Sequence, residues 1–161
     1  MSKIKSIIAR EILSSSGLPT LEVRAILESG IIGIASVPYG VSAGTHEAVT
    51  LFDNDAKRFQ GKGMLKAANN VNRIIAPKLA GKDASRQGEI DELMIDLDGT
   101  KNKANLGGNA ILGVSLAVAR ASAADWNIPL YHYIRKCYKI RLKEFVLPNP
   151  MMVVIEGGRH A

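Results

Sequence analysis

The chain has 161 residues, 47% of them hydrophobic, with 21 Lys and Arg against 15 Asp and Glu, a net charge of +6 and a single cysteine. That length suffices for one domain with its own core, and a lone Cys137 excludes an intramolecular disulfide and points to a reducing, cytoplasmic setting. No run approaches the roughly 18 apolar residues of a membrane span, and MSKIKSIIAR lacks the apolar stretch of a signal peptide. The positive charge raises the question of nucleic acid. Its cations fall singly along the chain, however, and the densest group, Arg135 to Lys143, has neither zinc-ligand spacing nor the aromatic pattern of an RNA reader, so no nucleic-acid partner is expected.

Lys3 to Leu13 reads as a first strand, stopped at SSSGLP, where Gly17 and Pro19 break any continuation. In Thr20 to Glu28, Leu21, Val23, Ala25 and Leu27 alternate with Glu22, Arg24 and Glu28, the period of a half-buried strand. Ser29-Gly30 supplies a tight turn, and Ile31 to Val37 resumes an apolar, β-branched run, so the two segments read as a hairpin. The loop SVPYGVSAGTHEA follows. On composition alone it is a connector, and His46 and Glu47 read as solvated or locally hydrogen-bonded, because a metal or acid–base role needs a third partner and a pocket.

Beyond the loop the period changes to about 3.6. Leu65, Ala68, Val71 and Ile75 make one helix face, predicted to stop at Pro77. Ile90, Leu93, Met94 and Leu97 make another, started by Asp83 or Ser85 and ended at Asp98-Gly99. Between Gly108 and Trp126 the chain is small and apolar on nearly every side, the mark of a helix buried against several neighbours. A short helix, Leu130 to Cys137, follows Pro129, with His132 as a surface residue. The fold class is α+β: a three-stranded antiparallel sheet followed by a bundle of helices on one of its faces.

LPNPMMVVIEGGRHA behaves differently. Met151 to Ile155 reads as a buried strand entering the turn Gly157-Gly158, yet no later sequence supplies its neighbours. Residues 1–146 are therefore read as one α+β domain and 147–161 as the start of a second that is missing, with Met151 to Ala161 disordered, re-docked or covered by another chain.

IIAREILSSSGLPTLEV, VPYGVSAGTHEAV, FQGKGMLKAANNVN, IDLDGTKNKANLGGNAILGVSLAVARA, IPLYHYI and LPNPMMVVIEGGRHA are similar, in order and spacing, to the amino-terminal domain of the enolases, the phosphopyruvate hydratases of glycolysis. The resemblance implies a capping domain on an eight-stranded barrel, a homodimer, two magnesium ions, and reversible dehydration of 2-phosphoglycerate to phosphoenolpyruvate. In that family the lysine base, the glutamates that assist loss of hydroxide and the carboxylates of the principal magnesium all follow the GGxHA segment, which is where this sequence ends. The family's mobile loop PSGASTG corresponds to PYGVSAG here. The resemblance makes Gly40, Val41, Ser42, Ala43 and Gly44 that loop, Ser42 the second-magnesium ligand, and His160 the substrate-proximal histidine. It makes Arg10 and Glu22 dimer-interface positions.

Departures from the family pattern fall at functional positions. SSSGLP stands where DSRGNP is usual, so Ser16 replaces an interface arginine and Leu18 an asparagine. FDND replaces RDGD, and Glu156 replaces an asparagine, placing a carboxylate where an anionic substrate approaches. Serine oxygens alone are weak donors for a hard cation. The expectation is a truncated, enolase-like protein that is inactive alone and does not by itself bind magnesium. The alternatives are a stand-alone, non-catalytic interaction module, or one half of a split enolase. Self-association, or a protein partner covering the barrel-facing surface, is expected either way.

Overall fold

The computed structural model describes residues 2–38, 44–141 and 144–155. The alternation read in the sequence becomes β1 (Ile4–Leu13), β2 (Pro19–Leu27) and β3 (Ile32–Val37), an antiparallel meander in the order β1-β2-β3. Leu21, Val23, Ala25 and Leu27 are buried on the inner face, whereas Glu22, Arg24 and Ile26 between them are only half-buried on the outer one. Glu22 stands opposite Arg10 on β1 and Ser36 on β3. A slip of one residue would exchange the two faces, so burial of the inner face fixes the register.

All the helices lie against the inner face or against one another. Central among them is α4 (Gly108–Asp125), which crosses β2 and β3. It approaches so closely because its sheet-facing residues are small. A Cβ on Gly113 would lie 2.7 Å from Val23 Cγ2, and one on Gly33 of β3 would lie 2.1 Å from the Ala117 carbonyl oxygen and 2.4 Å from the Ala121 nitrogen. The helix α5 (Leu130–Cys137) packs on the far side of α4, where Tyr133 is fully buried beside Ala119 and Ala123 and meets Trp126 edge-on at 5.3 Å between ring centroids. Its hydroxyl donates within 3.3 Å of the Ala84 carbonyl and Gln87 Oε1, and burial pushes its pKa up. No described helix is long and apolar enough to cross a membrane.

The first helical stretch does not stop at Pro77. It runs as α1 (Leu65–Asn70), a π turn (Val71–Ile75) and α2 (Ala76–Leu79), with Pro77 inside the last segment. A proline in a regular helix clashes with the carbonyl four residues back, and the wider π turn, in which the Ala76 N–H donates to the Val71 carbonyl, lets the chain coil past it. The same turn places Asn72 against β1. Asn72 accepts from the Ala9 N–H at 2.7 Å and donates to the Ala9 carbonyl at 2.9 Å, satisfying backbone groups on the outer edge of β1.

Two further expectations change. The helix α3 (Gln87–Asp98) begins later than Asp83 or Ser85: Asp83 instead accepts from the Ser85 N–H and hydroxyl, forming a local turn ahead of it. His132 is half-buried, its ring 4.7 Å from Tyr131 and 4.4 Å from Phe145, because the chain after α5 folds back and brings Phe145 onto the helix. Met151 to Ile155, for which the sequence offers no strand partner, takes up no strand, and each of these residues is at least 77% exposed.

Candidate functional site

The loop between β3 and α1 is fixed near its middle by the amino terminus of α4. Val49 donates to the Asn102 carbonyl at 2.9 Å and accepts from the Gly108 N–H at 2.7 Å. Asn109, 5% exposed, accepts from the Leu51 N–H at 3.1 Å and donates to the Leu51 carbonyl at 3.3 Å. Residues 48–52 are thereby strapped across the helix start. The two glycines of LGGN are required by this contact: Gly107 has φ +97°, and a Cβ on Gly108 would lie 2.7 Å from that of Ala48.

The strap depends in turn on Asp98, at the end of α3 and 2% exposed. Its Oδ2 accepts from the Leu106 N–H at 2.7 Å, its Oδ1 from the Thr100 N–H at 3.0 Å and from the Thr100 hydroxyl. Asn105 donates to the Asp98 carbonyl at 2.8 Å. The connection 99–106 is thus wound around one carboxylate and delivers Gly107 and Gly108 to the strap. Burial alone would raise the Asp98 pKa, but the converging donors outweigh it and hold the carboxyl below its ordinary value.

A second charged cluster anchors the loop where it enters α1. Glu11 on β1 receives both terminal nitrogens of Arg58 and the Met64 N–H, while Asp53 accepts from the Leu65 N–H at 3.1 Å, the Lys66 N–H at 2.7 Å and Arg58 at 3.3 Å. Asp53 therefore satisfies the open N–H groups at the start of α1 from twelve and thirteen residues away. The Arg58 hydrogen bond is the main cause of a lowered Glu11 pKa.

Between the strap and the helices lies a groove of about 840 Å³, walled by Val37 and Pro38, by Glu47, and by Asp91, Ile95 and Leu112 of α3 and α4. Both described ends of the glycine-rich loop, Pro38 and Gly44, line it. Gly44 donates to Glu47 Oε1 at 3.0 Å, which makes Glu47 a local hydrogen-bonding group, as its sequence context implied. Gly40, Val41, Ser42 and Ala43 lie outside the described residues, as do Glu156 and His160. Arg10 and Glu22, the two interface candidates, bond to each other at 2.8 Å across β1 and β2, and Glu22 also accepts from Arg24 at 3.3 Å. Burial works to raise the Glu22 pKa, and the two arginines reverse it, leaving a net lowering.

Magnesium prefers an octahedral shell of oxygens that includes one or two carboxylates. Among the described residues no three His, Cys, Asp or Glu side chains converge to hold a metal ion. The buried carboxylate of Asp98 and the half-buried ones of Asp53 and Glu11 are each turned toward N–H donors. The described residues do not fit the ion.

Sequence reasoning did not single out Glu11, Arg58, Asp98 or Asn109. Glu11 and Asn109 act on backbone 53 and 58 residues away, Arg58 on carboxylates 47 and 5 residues away, and Asp98 on N–H groups two and eight residues on, so no hydrophobic period marks any of them. The clearest available signal was LGGN, where paired glycines before an apolar helix announce a close backbone approach.

Comparison with known proteins places these features in one family. The family model for "Enolase, N-terminal domain" matches residues 4–134. The enolase of Elusimicrobium minutum (strain Pei191) is 57% identical over all 161 residues, which span 38% of that protein's length.

Proposed function

The chain belongs to the enolase family, whose amino-terminal domain it carries, and from that premise we propose that it is the capping portion of a 2-phosphoglycerate dehydratase, silent on its own. The observation that carries this reading is the 57% identity maintained across the whole chain while only 38% of the relative is covered. Taking a proton from the carbon beside a carboxylate places more negative charge on a group already anionic, and it needs both a positioned base and cations to hold that charge. The groove offers Glu47, Asp91 and Lys103 among its lining. Glu47 is bonded to its own loop, and Asp91 accepts from Gln87 and from Tyr138. Burial, reinforced by this bond to Asp91, pushes the Tyr138 pKa to about 12.

In this reading, 40–44 corresponds to the family's substrate-covering segment, and Ser42 would offer oxygen to a magnesium ion held mainly by groups other than the described residues. Purified chain supplied with 2-phosphoglycerate and saturating magnesium is expected to form no phosphoenolpyruvate beyond the uncatalysed rate. Turnover above that rate, retained after a second purification step, would overturn the proposal. The missing machinery belongs to a barrel, whether carried on a longer polypeptide or supplied by another chain as in a split enzyme. A cytoplasmic location accords with this role.

The second reading, a non-catalytic interaction module, is favoured by the outer sheet face. Ile8 and Ile32 are each 51% exposed and Ile34 is 40% exposed there, and apolar surface of this kind on one face marks a contact area. On either reading the chain should self-associate or capture a protein partner. Sedimentation over a hundredfold range of concentration is expected to show a mass that rises with concentration; a single monomeric species throughout, with no partner recovered from the source cell, would count against it.

A further inference from the structure

The two edges of the sheet differ. On β1, the Ile4 N–H donates to the Lys82 carbonyl, the Ile4 carbonyl accepts from the Gly81 N–H, and Asn72 takes both backbone groups of Ala9. On β3, the register turns one row of backbone outward. Because the Leu27 N–H donates to the Ile31 carbonyl, the backbone groups of Gly33, Ala35 and Val37 turn toward β2, and those of Ile32, Ile34 and Ser36 turn away from it. Among the described residues one bond reaches this outward row, from Arg120 Nη1 to the Ile34 carbonyl at 3.2 Å. The side chains of Ile32 and Ile34 are exposed beside it, and Ile32–Val37 contains neither the charge nor the proline that guards natural sheet edges.

The same chain carries a segment that suits this edge. Residues 151–155, MMVVI, are apolar, free of proline and end in three β-branched residues, and all five are exposed. Their own β3 is out of reach. On α4, Ala117 and Ala121 lie on Gly33, whereas Ala119 and Ala123, about 200° further round the helix, lie on Tyr133 of α5. On α5 the same half-turn separates Tyr133 from Tyr131 and Arg135, which hold the Phe145 ring. Phe145 is thus separated from β3 by two helices, each about 10 Å across with its side chains. The six residues that lead on to Met151 extend about 20 Å at most, which a straight path through both helices would consume, and a path around them is longer.

We propose that residues 151–155 of one copy add as a fourth strand to the outer edge of β3 in a second copy, and that the exchange is reciprocal and closes a dimer. The added strand bonds the outward groups of Ile32 and Ser36 and sets Met151, Val153 and Ile155 beside Ile32 and Ile34. This interface rests on the self-association expected above and names the groups that make it.

Sedimentation of the full chain at near-physiological salt gives the dissociation constant of the dimer. Val153→Pro keeps an apolar side chain at an exposed position outside every element, but it removes the N–H and opposes pairing. It is expected to weaken the dimer about a hundredfold, roughly tenfold for each of the two exchanged strands. Val153→Ala keeps the N–H and should weaken it less, by about tenfold in all. In the parent chain, amide exchange at Ile32, Ser36 and Val153 is expected to slow together as concentration rises. Equal losses in the two variants would mean apolar adhesion without strand pairing, and protection of Ile32 and Ser36 that does not change with concentration would mean that the chain covers its own edge; either result overturns the exchange. Association unaffected by Val153→Pro would overturn it as well, while leaving self-association through another surface standing, and a monomer at every concentration would remove both.

Discussion

Gly33→Ala is expected to remove most of the stability of the chain, although it adds a single methyl group. Gly33 is in ordinary extended backbone, so the residue is not there for its conformational freedom. It is there because α4 lies against the strand: the new carbon would sit 2.1 Å from the Ala117 oxygen and 2.4 Å from the Ala121 nitrogen, both of them backbone atoms that no side-chain rotation can move. Relief requires α4 to lift from β2 and β3, which opens the contact that buries Val23, Ala25, Val114 and Ala117. Overpacking typically costs about 1–3 kcal/mol when side chains can shift, and here they cannot, so a loss at or above about 3 kcal/mol is expected. Urea unfolding followed by circular dichroism measures it. Ala35→Gly on the same strand serves for comparison, since it removes a methyl and should cost about 1 kcal/mol. A Gly33→Ala protein with an unshifted midpoint would show that the helix does not rest on this strand.

The second large effect concerns Asp98. Asp98→Asn turns one acceptor oxygen into an NH2 group that faces the Leu106 or Thr100 N–H, leaving buried donors opposed. The expected cost is about 2 kcal/mol near neutral pH, a fall of about 6 °C in Tm for a chain of this size. The effect should depend on pH in a defined direction. Asp98 and Glu11 titrate below their ordinary values of 3.8 and 4.5 in the folded chain. A carboxyl whose pKa falls on folding adds stability that is complete above its unfolded pKa and is lost as pH drops through the folded one. The parent chain should therefore lose stability as pH falls below about 4.5, and the gap between parent and Asp98→Asn should narrow below about 3.8. Thermal unfolding from pH 7 to pH 3 provides the comparison, and a gap of constant size across that range would contradict the assignment. Because the 99–106 connection positions the strap, the same variant should loosen Val49 and Leu51, which amide hydrogen exchange would register as lost protection.

The elements that could be read from sequence are those with an internal period. The alternation of Leu21 to Leu27 and the turn at Ser29-Gly30 yielded the meander, because a half-buried strand must alternate and a one-residue slip would expose its core face. The all-round apolarity of residues 108–125 yielded a buried helix, because only a helix with neighbours on several sides can hide such a surface. Where the period was interrupted, reading failed. Pro77 forbids a regular helix, and nothing near it announces that a π turn will absorb the clash. His132 looked exposed because the residue that half-buries it, Phe145, returns from thirteen positions further on.

Family membership was legible too, since several motifs in order are carried by residue identity alone. The contacts that shape the candidate site were not. Glu11 meets Arg58 from 47 residues away and Asn109 meets Leu51 from 58, and a carboxylate or an amide looks the same in sequence whether it faces water or caps a distant helix. The amino-acid order by itself determined which segments would be strands and helices and which face of each would be dry. Only the tertiary structure decided how near α4 could come to β3 and which carboxylates would be spent on backbone donors. Those outcomes depend on distances between parts of the chain that local propensity and hydrophobic period do not encode.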